Sequence, residues 1–288
     1  MAMIISKYNM IQAYKKDREL LQDIQSTIDK REGFRLWWLG QSGFLIQYNG
    51  RHLLFDPYLS DSLTKKYAQT DKPHTRISEI VIKPALLNMI DVVTSSHNHT
   101  DHLDAETLLP LLEVNPSISM IIPEANRSFV VERLKCTYNW PIGLSDNEST
   151  EIGPFKVYGL PAAHNQLERD EAGKLKYMGF VAEFGPYKVY HSGDTLWYEG
   201  IVETLKPFQV DVALLPINGN KPERKVAGNL NFEEAARLGK EIGARLTIPH
   251  HYDLFEFNTE DPNNFVLKAK EIETPYRVLE LGESTEIV

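Results

Sequence analysis

The sequence predicts a mixed α/β fold, with sheets in the middle and helices outside. Short segments rich in aromatic and branched residues, among them FRLWWLG, SISMIIP and VDVALLPI, predict strands. Helical stretches at about 104–113 and 231–243 alternate with these segments. Of the 288 residues, 42% are hydrophobic, so the chain can bury a substantial core.

The first elements in order are a helix and a strand meander. Apolar residues at roughly helical spacing predict an appended N-terminal helix over about 7–31, whose end is marked by Gly33. The strand segments GFLIQYNG and RHLLFDPYL then meet at Asn49-Gly50, which is a strong hairpin signal. Residues 56–88 are predicted to form a long irregular excursion before the strand IDVVTSS.

The later elements carry capping and turn signals. Asp104 is placed to cap the helix that follows it, and Asn231 with Glu234 has the pattern of a capping pair for the last of the two helical stretches. Gly185-Pro186 marks a second hairpin. Because the sequence has no repeat, low-complexity tract or clear linker, we assign residues 1–288 to a single domain.

The composition narrows the expected partners and compartment. The formal net charge is −9 and no run of lysine and arginine stands out, which argues against nucleic acid as a partner. Cys136 is the only cysteine, so any metal would be held by nitrogen and oxygen atoms. We find neither a signal peptide nor an apolar run of about 18 residues, so we expect a cytoplasmic protein with no membrane partner. A homo-oligomer is compatible with these features.

The segment SSHNHTDHLD is the densest group of chemically active side chains in the sequence. It lies on the loop between a buried-type strand and the helix that follows, where side chains converge. If the chain stays extended there, His97, His99 and Asp101 point one way, and a bend near Asp101 brings His102 beside them. Neutral imidazoles and a carboxylate are good ligands for zinc and related ions. A solvated polar loop is the alternative, but four such residues at this spacing favour a metal site.

The stretch HNHTDH also resembles the signature of the metallo-β-lactamase superfamily of hydrolases, and later segments match that family in order. The resemblance implies a four-layer αββα sandwich. It further implies that His164 in LPAAHNQ, Asp194 in VYHSGDT and His251 in TIPHHYD complete the metal site. We choose His251 because similar family segments read P-x-H, whereas His250 would lie on the opposite side of the strand end.

The same resemblance implies a site with two divalent ions and Asp194 as the bridging ligand. The implied ligands are His97, His99 and His164 for one ion, and Asp101, His102 and His251 for the other. Two such ions can share a water, lower its pKa and present a metal-bound hydroxide to a carbonyl carbon or a phosphorus. Asp101 is also a candidate catalytic residue that handles protons.

Three longer segments narrow the resemblance further. WWLGQSGFLI, HSGDT and IPHHYDLF resemble the L-ascorbate-6-phosphate lactonase branch, from about Arg35 to the final strands. In that lactonase, the position that matches His164 tends to hold a carboxylate. The imidazole in this chain modestly favours zinc over manganese, and both remain candidate metals.

Several other residues have a functional and a structural interpretation. Asp56 in LLFDPY is a candidate to orient a ligand histidine, with a turn aspartate before proline as the alternative. Tyr198 is a candidate wall of the pocket, although aromatic residues at a helix start more often serve packing. We interpret His191 as a core or supporting histidine. His52 and His74 have no supporting context and receive no role.

The segment PINGNKPERKVAGNLN, residues 216–231, is a candidate substrate loop. It is rich in glycine and asparagine and contains Asn218, Lys221, Arg224 and Lys225. Such a loop could cover the metals and bind a phosphate or a carboxylate, which lysine and arginine suit. A solvated loop with an ordinary run of charges is the alternative.

Three functions are therefore considered. The leading one is a dinuclear metal-dependent hydrolase that acts on a small anionic ester or lactone, such as a sugar-phosphate lactone. A phosphodiesterase or nuclease of the same superfamily is an alternative, against which the acidic charge argues. A metal-binding sensor without turnover is the third, and the complete implied ligand set disfavours it.

Overall fold

The computed structural model describes residues 10–224, 226 and 228–288. Thirteen strands in this described part form two mixed sheets, and seven α-helices accompany them. The strands are β1 Phe34–Gly40, β2 Gly43–Tyr48, β3 Arg51–Phe55, β4 Val92–Thr94, β5 Ser119–Pro123, β6 Ile142–Leu144, β7 Ser149–Ile152, β8 Phe155–Pro161, β9 Met178–Phe184, β10 Tyr187–His191, β11 Val212–Pro216, β12 Leu246–His250 and β13 Ser284–Ile287. The α-helices are α1 Asp17–Ser26, α2 Ser62–Tyr67, α3 Ala105–Val114, α4 Arg127–Leu134, α5 Ile201–Leu205, α6 Phe232–Glu241 and α7 Pro262–Glu271. Short 3₁₀ helices lie at Pro84–Leu86, Glu124–Asn126, Lys206–Phe208 and Pro222–Arg224.

The two sheets face each other across a shared core. The first has the strand order β13-β1-β2-β3-β4-β5-β6, and the second has the order β12-β11-β10-β9-β8-β7. Each sheet joins an antiparallel part to a parallel one, which runs from β3 to β6 in the first sheet and from β10 to β12 in the second. Phe34 of β1 packs edge-on against Phe184 of β9, with ring centroids 5.0 Å apart. Contacts of this kind make one hydrophobic core from both sheets.

Helices pack on the outer face of each sheet. Asp23 of α1 accepts a hydrogen bond of 2.8 Å from Nε1 of Trp37, whose side chain lies on the face of β1 opposite Phe34. Helix α6 packs closely on β12, because a Cβ added to Gly239 would lie 2.1 Å from Oγ1 of Thr247. The predicted α/β fold class, with sheets inside and helices outside, is confirmed.

The turn and capping signals are also confirmed. Asn49 and Gly50 both have positive φ, +50° and +76°, as a tight two-residue hairpin turn between β2 and β3 requires. Gly185, with a φ of +55°, lies in the turn that joins β9 to β10. The Asp104 side chain caps α3, and Asn231 forms a complete capping box at the start of α6.

The predicted N-terminal helix over 7–31 is too long. Helix α1 covers only Asp17–Ser26, because the chain before it is extended and Ile11 donates a backbone hydrogen bond of 2.8 Å to Ile77. Backbone groups that bond to another segment are not available for helical hydrogen bonds. Residues 7–9 of that prediction lie outside the described residues.

The excursion over 56–88 contains more regular structure than the sequence predicted. Helix α2 and the short 3₁₀ helix at Pro84–Leu86 both lie within it.

Among the described residues, every helix is too short or too polar to cross a membrane. The assignment of the whole chain to one domain stays a prediction.

We expect Asn231→Ala to lower the free energy of unfolding by about 1 kcal/mol, because it removes the side-chain acceptor of the capping box. That oxygen accepts a hydrogen bond of 2.9 Å from the backbone of Glu234. Urea denaturation followed by circular dichroism measures the change. Asn231→Ser keeps an acceptor and is the control, and equal midpoints for the alanine and serine variants would contradict the capping role.

Candidate metal centre

The candidate ligands lie on loops that follow strand ends. His97, His99, Asp101 and His102 lie on the loop between β4 and α3, and His164 follows β8. Asp194 follows β10 and His251 follows β12 directly. The two sheets therefore contribute ligands from opposite sides of the core to one edge of the sandwich.

The loop after β4 turns at His99, earlier than the bend near Asp101 that the sequence predicted. The backbone N–H groups of His102 and Leu103 both donate to the carbonyl of His99, at 3.1 and 2.8 Å. This turn begins at His99, so His102 folds back toward His97, with ring centroids 4.2 Å apart. The turn, rather than strand alternation, brings the histidines of this loop together.

Seven side chains among the described residues form two groups that could each hold a metal ion. Within each group, the nitrogen and oxygen atoms lie within 4.8 Å of one another. The first group is His97, His99 and His164, and the second is Asp101, His102, Asp194 and His251. The structure thus brings together all seven residues that the sequence nominated as ligands, and it places His251 rather than His250 in the second group.

Asp194 connects the two groups. Its Oδ1 lies 3.3 Å from Nε2 of His102, and its Oδ2 lies 3.3 Å from Nε2 of His251. The same Oδ2 lies 3.6 Å from Nε2 of His164, which belongs to the first group. Asp194 is therefore within reach of both groups, as a bridging ligand must be.

Three of these side chains, His97, His164 and Asp194, have protonation states that suit metal binding. Burial lowers the pKa of His97 well below its usual value and lowers the pKa of His164 to about 4, so both imidazoles are neutral. Burial alone would raise the pKa of Asp194, but His251 and His102 outweigh it and hold that pKa well below its usual range. Neutral imidazole and ionised carboxylate are the forms that bind metal ions.

Several buried polar atoms in the cluster have no hydrogen-bond partner among the described residues. They include Nε2 of His97, Nε2 of His102 and Oδ1 of Asp194. Buried polar atoms are normally hydrogen-bonded, so such atoms at one place point to a missing partner. Because every donor is imidazole nitrogen or carboxylate oxygen, the site fits a first-row divalent ion such as zinc.

Asp56 orients one of the candidate ligands. Its Oδ2 lies 2.8 Å from Nδ1 of His102, and both side chains are fully buried. Asp56 also accepts hydrogen bonds from the backbone N–H of Ser96 and the hydroxyl of Thr94. Because the carboxylate holds Nδ1, the other ring nitrogen of His102 is directed at Asp194.

The loop 216–231 orients the candidate ligand His164, as Asp56 orients His102. Nδ1 of His164 lies 2.9 Å from the carbonyl oxygen of Gly228, which can only accept. Nδ1 of His164 therefore carries the proton, and Nε2 is left with a lone pair near Asp194. The sequence predicted a substrate role for this loop. Its contact with the candidate metal ligand His164 has no sequence signal, because a backbone carbonyl makes it.

Gln41 is a second residue that the sequence analysis missed. Its side-chain amide Nε2 lies 2.8 Å from Oδ2 of Asp101 and 3.0 Å from Nε2 of His251. The residue is buried in the tight segment between β1 and β2, and it has a φ of +49°, which is strained for a residue other than glycine. The signal that could have found it is the polar pair Gln41-Ser42 between two glycines.

The remaining buried histidines near the site belong to the core. His191 stacks on Phe55 with centroids 4.8 Å apart, and on its other side stacks on His250 at 5.4 Å. Nε2 of His191 bonds to the backbone oxygen of Ser42 at 2.8 Å. This geometry agrees with the interpretation of His191 as a core histidine.

A cavity of about 530 Å³ opens over the two groups. His99, Asp101, His164, Asp194 and His251 line it on the side of the cluster. Its other lining residues include Lys66, Lys72, His74, Arg133, Phe129 and Phe255. The cations come from the 56–88 excursion and from α4, which carry no sequence motif, so the sequence analysis could not nominate them.

None of the four substrate candidates from the sequence is among the residues that line this cavity. Lys221 pairs with Glu260 at 2.9 Å, and Arg224 donates to the backbone oxygens of Asn218 and Thr259. These contacts hold the loop against the segment that follows β12. Lys221, Arg224 and Asn218 thus make structural contacts, and their substrate role stays a prediction. Val226 of the same loop lines the cavity, and Lys225 lies outside the described residues.

Tyr198 is the fourth of these candidates. Its hydroxyl donates a hydrogen bond of 2.9 Å to the backbone oxygen of Pro161, at the end of β8. The side chain thereby packs against the strand that leads to His164 instead of walling the cavity. This contact agrees with the packing interpretation, and the substrate role of Tyr198 stays a prediction.

The chain is similar to several known proteins. The family model for the beta-lactamase superfamily domain matches residues 51–252. A UPF0173 metal-dependent hydrolase of Rubrobacter xylanophilus is 29% identical over 260 residues, which cover 87% of this chain and 96% of that relative. Igni18, a metallo hydrolase from Ignicoccus hospitalis, has a TM-score of 0.65 at 21% identity and covers 88% of this chain and 98% of its own. An isothiocyanate hydrolase from Delia radicum gut bacteria has a TM-score of 0.68 at 18% identity, and the match covers 87% of this chain and 98% of that one. The two structures share the fold.

We expect His99→Ala to weaken zinc binding by at least about 10-fold, since loss of an outer partner of a ligand alone costs about 10–100-fold. Isothermal titration and elemental analysis of the purified protein measure the affinity and the zinc content. His52→Gln is the matched control, because His52 is a buried histidine that contacts Gln47, outside both groups. Native zinc content and affinity in His99→Ala would remove His99 from the ligand set.

Proposed function

The chain belongs to the beta-lactamase superfamily domain family and is a metal-dependent hydrolase, and we propose that it uses two divalent ions to hydrolyse small anionic esters or lactones. The observation that supports two ions is the pair of ligand groups joined by Asp194. The observation that supports an anionic substrate is the set of cationic side chains that line the cavity beside those groups.

In this proposal each ion has its own imidazole ligands. His97, His99 and His164 would hold one ion, Asp101, His102 and His251 would hold the other, and Asp194 is placed within reach of both groups. Bound ions of this kind polarise a carbonyl or phosphoryl oxygen and lower the pKa of water. The first group is purely imidazole, which suits zinc, so we propose zinc in preference to manganese.

The chain's own residues orient this site. Asp56 directs His102, and the Gly228 carbonyl directs His164. Oδ2 of Asp101 lies 3.7 Å from Nε2 of His102 and from Nε2 of His251. The same oxygen accepts a hydrogen bond from Nε2 of Gln41. A carboxylate held in this way is a poor proton carrier unless it leaves its partners, so we propose Asp101 first as a ligand.

The cations beside the site favour an anionic substrate. Lys66 lies at the cavity with its ammonium 5.0 Å from the ring centre of Tyr67. Arg133 donates to the backbone oxygens of Asn98 and Leu103 at 3.1 and 2.9 Å, so it braces the loop that carries the histidines as well as lining the cavity. Positive charge at the walls attracts a phosphate or carboxylate of the substrate.

A sugar-phosphate lactone is the first member of this substrate class to test. The resemblance of WWLGQSGFLI and IPHHYDLF to the lactonase branch supports it. The experiment is a panel of lactones, phosphate monoesters and phosphodiesters, run with zinc and with manganese and repeated after chelation. Hydrolysis of phosphodiesters alone would favour the nuclease alternative. Metal binding without turnover of any member would favour a sensor and overturn the proposal.

We expect Lys66→Gln to raise KM for the best anionic substrate by about 2–5-fold, the effect of one partly screened charge. KM for a neutral ester should stay unchanged, since the substitution removes only an electrostatic attraction. Lys65→Gln is the matched control, because Lys65 pairs with Glu106 and does not line the cavity. Steady-state kinetics at low salt measure both variants, and equal effects on neutral and anionic substrates would contradict the role of Lys66.

A further inference from the structure

We propose that His74 is a catalytic residue that carries a proton between the attacking water and the leaving oxygen of the substrate. The inference rests on the proposed hydrolase function and deepens it. His74 belongs to neither ligand group, yet it lines the same cavity as Asp101, Asp194 and His251. An imidazole that lines the cavity without belonging to a ligand group is available to exchange protons with substrate.

The ring of His74 is held in one orientation by aromatic side chains. Tyr67 stacks on it with centroids 4.3 Å apart and an interplanar angle of 25°. Phe257 and Phe255 contact it edge-on, at 4.7 and 5.2 Å. The hydroxyl of Thr64 also bonds to the backbone oxygen of His74 at 2.6 Å. Both the backbone and the ring are therefore fixed before substrate arrives, which is what proton transfer at a defined atom requires.

A hydrogen bond decides which ring nitrogen is the base. Nδ1 of His74 lies 2.9 Å from the backbone oxygen of Lys72. A carbonyl oxygen can only accept, so Nδ1 carries the proton, and in the neutral ring Nε2 has the free lone pair. Backbone carbonyls orient His164 and His74 through the same ring atom.

The surroundings keep this imidazole neutral and able to accept a proton. Burial lowers the pKa of His74, and Lys66 and Lys72 lower it further, whereas the Lys72 carbonyl and Asp101 raise it. The aromatic neighbours add no charge. These are the charged and titratable groups that act on His74 from the excursion and from the metal-site loop.

His74 accepts one proton and gives up one proton in each turnover of the proposed reaction. As the water oxygen bonds to the carbonyl carbon or phosphorus, one proton of the water passes to Nε2 of His74. As the bond between that atom and the leaving oxygen breaks, the same proton passes from Nε2 to the leaving oxygen. The ring is neutral before and after, and the products are an acid and an alcohol. A lactone yields both groups in one molecule.

A purely structural role is the alternative for this histidine. Tyr58, Leu63, Leu254 and Phe255 form a small apolar cluster next to it, with Tyr67 and Phe257 packed at its edge. A phenylalanine could fill the apolar part of such a cluster, although it could not donate to the Lys72 carbonyl. Proton transfer accounts for an imidazole at this position, where one nitrogen is anchored and the other is left with a lone pair.

The test compares two substitutions that each imitate one ring nitrogen. His74→Asn places an amide near Nδ1, where it can still donate to the Lys72 carbonyl, and it leaves no group at Nε2. His74→Gln places an amide near Nε2, where it can hydrogen-bond substrate but cannot carry a proton. The full chain is loaded with zinc, and zinc content and thermal midpoint are measured for each variant. The probes are 4-nitrophenyl acetate, whose leaving group needs no proton, and ethyl acetate, whose leaving group does.

We expect both variants to keep native zinc content and to lose about 100-fold or more in kcat for ethyl acetate, the usual range for a lost acid–base group. The loss for 4-nitrophenyl acetate should be at least about 10-fold smaller. Equal losses for the two esters, with zinc retained, would overturn proton delivery from His74 to the leaving oxygen, and unchanged kcat for both esters would overturn its role altogether. Either result would leave the hydrolase function intact. Absence of zinc-dependent turnover of both acetates and of the anionic substrate panel by the native chain would overturn the proposed ester hydrolysis and this inference with it.

Discussion

The buried carboxylate of Asp194 is the contact on which the rest of the site depends. It extends from the second sheet and meets His102 from the first sheet, as well as His164 and His251. A buried carboxylate is costly unless it is paired, and here imidazoles surround it. The close approach of the two sheets at this edge requires Gly193, because a Cβ there would lie 2.6 Å from Cβ of Ser96. The same close packing of the two sheets that requires Gly193 therefore also brings Asp194 to His102.

The cost of this arrangement is visible in the backbone. Three residues of the site other than glycine have positive φ, namely Asp56 at +37°, Gln41 at +49° and His251 at +66°. Such conformations cost of order 1–3 kcal/mol each and persist only where the surrounding structure enforces them. Each of these residues follows a strand end, where the sheets provide that rigidity. In return, the candidate ligand atoms converge at one edge of the sandwich.

The candidate metal ligands and the cationic side chains of the cavity come from different parts of the chain. The ligands come from strand ends, whereas Lys66, Lys72 and His74 come from the excursion between β3 and β4. The loop 216–231, which carries the more conspicuous charges, instead braces itself against Glu260 and orients His164 through Gly228. In the proposed function, side chains of the excursion can therefore change the substrate without replacing a candidate metal ligand.

The sequence by itself determined the α/β class, both hairpins and the caps at Asp104 and Asn231, and it nominated the seven candidate ligands that the structure brings together. These features are local, or belong to motifs whose residue types state their chemistry. Only the tertiary structure decided that α1 starts at Asp17, that Gln41 lies beside Asp101, and that His74 faces the cavity. The physical reason is that these outcomes depend on backbone groups and on segments far apart in the chain. No spacing of residue types records such contacts.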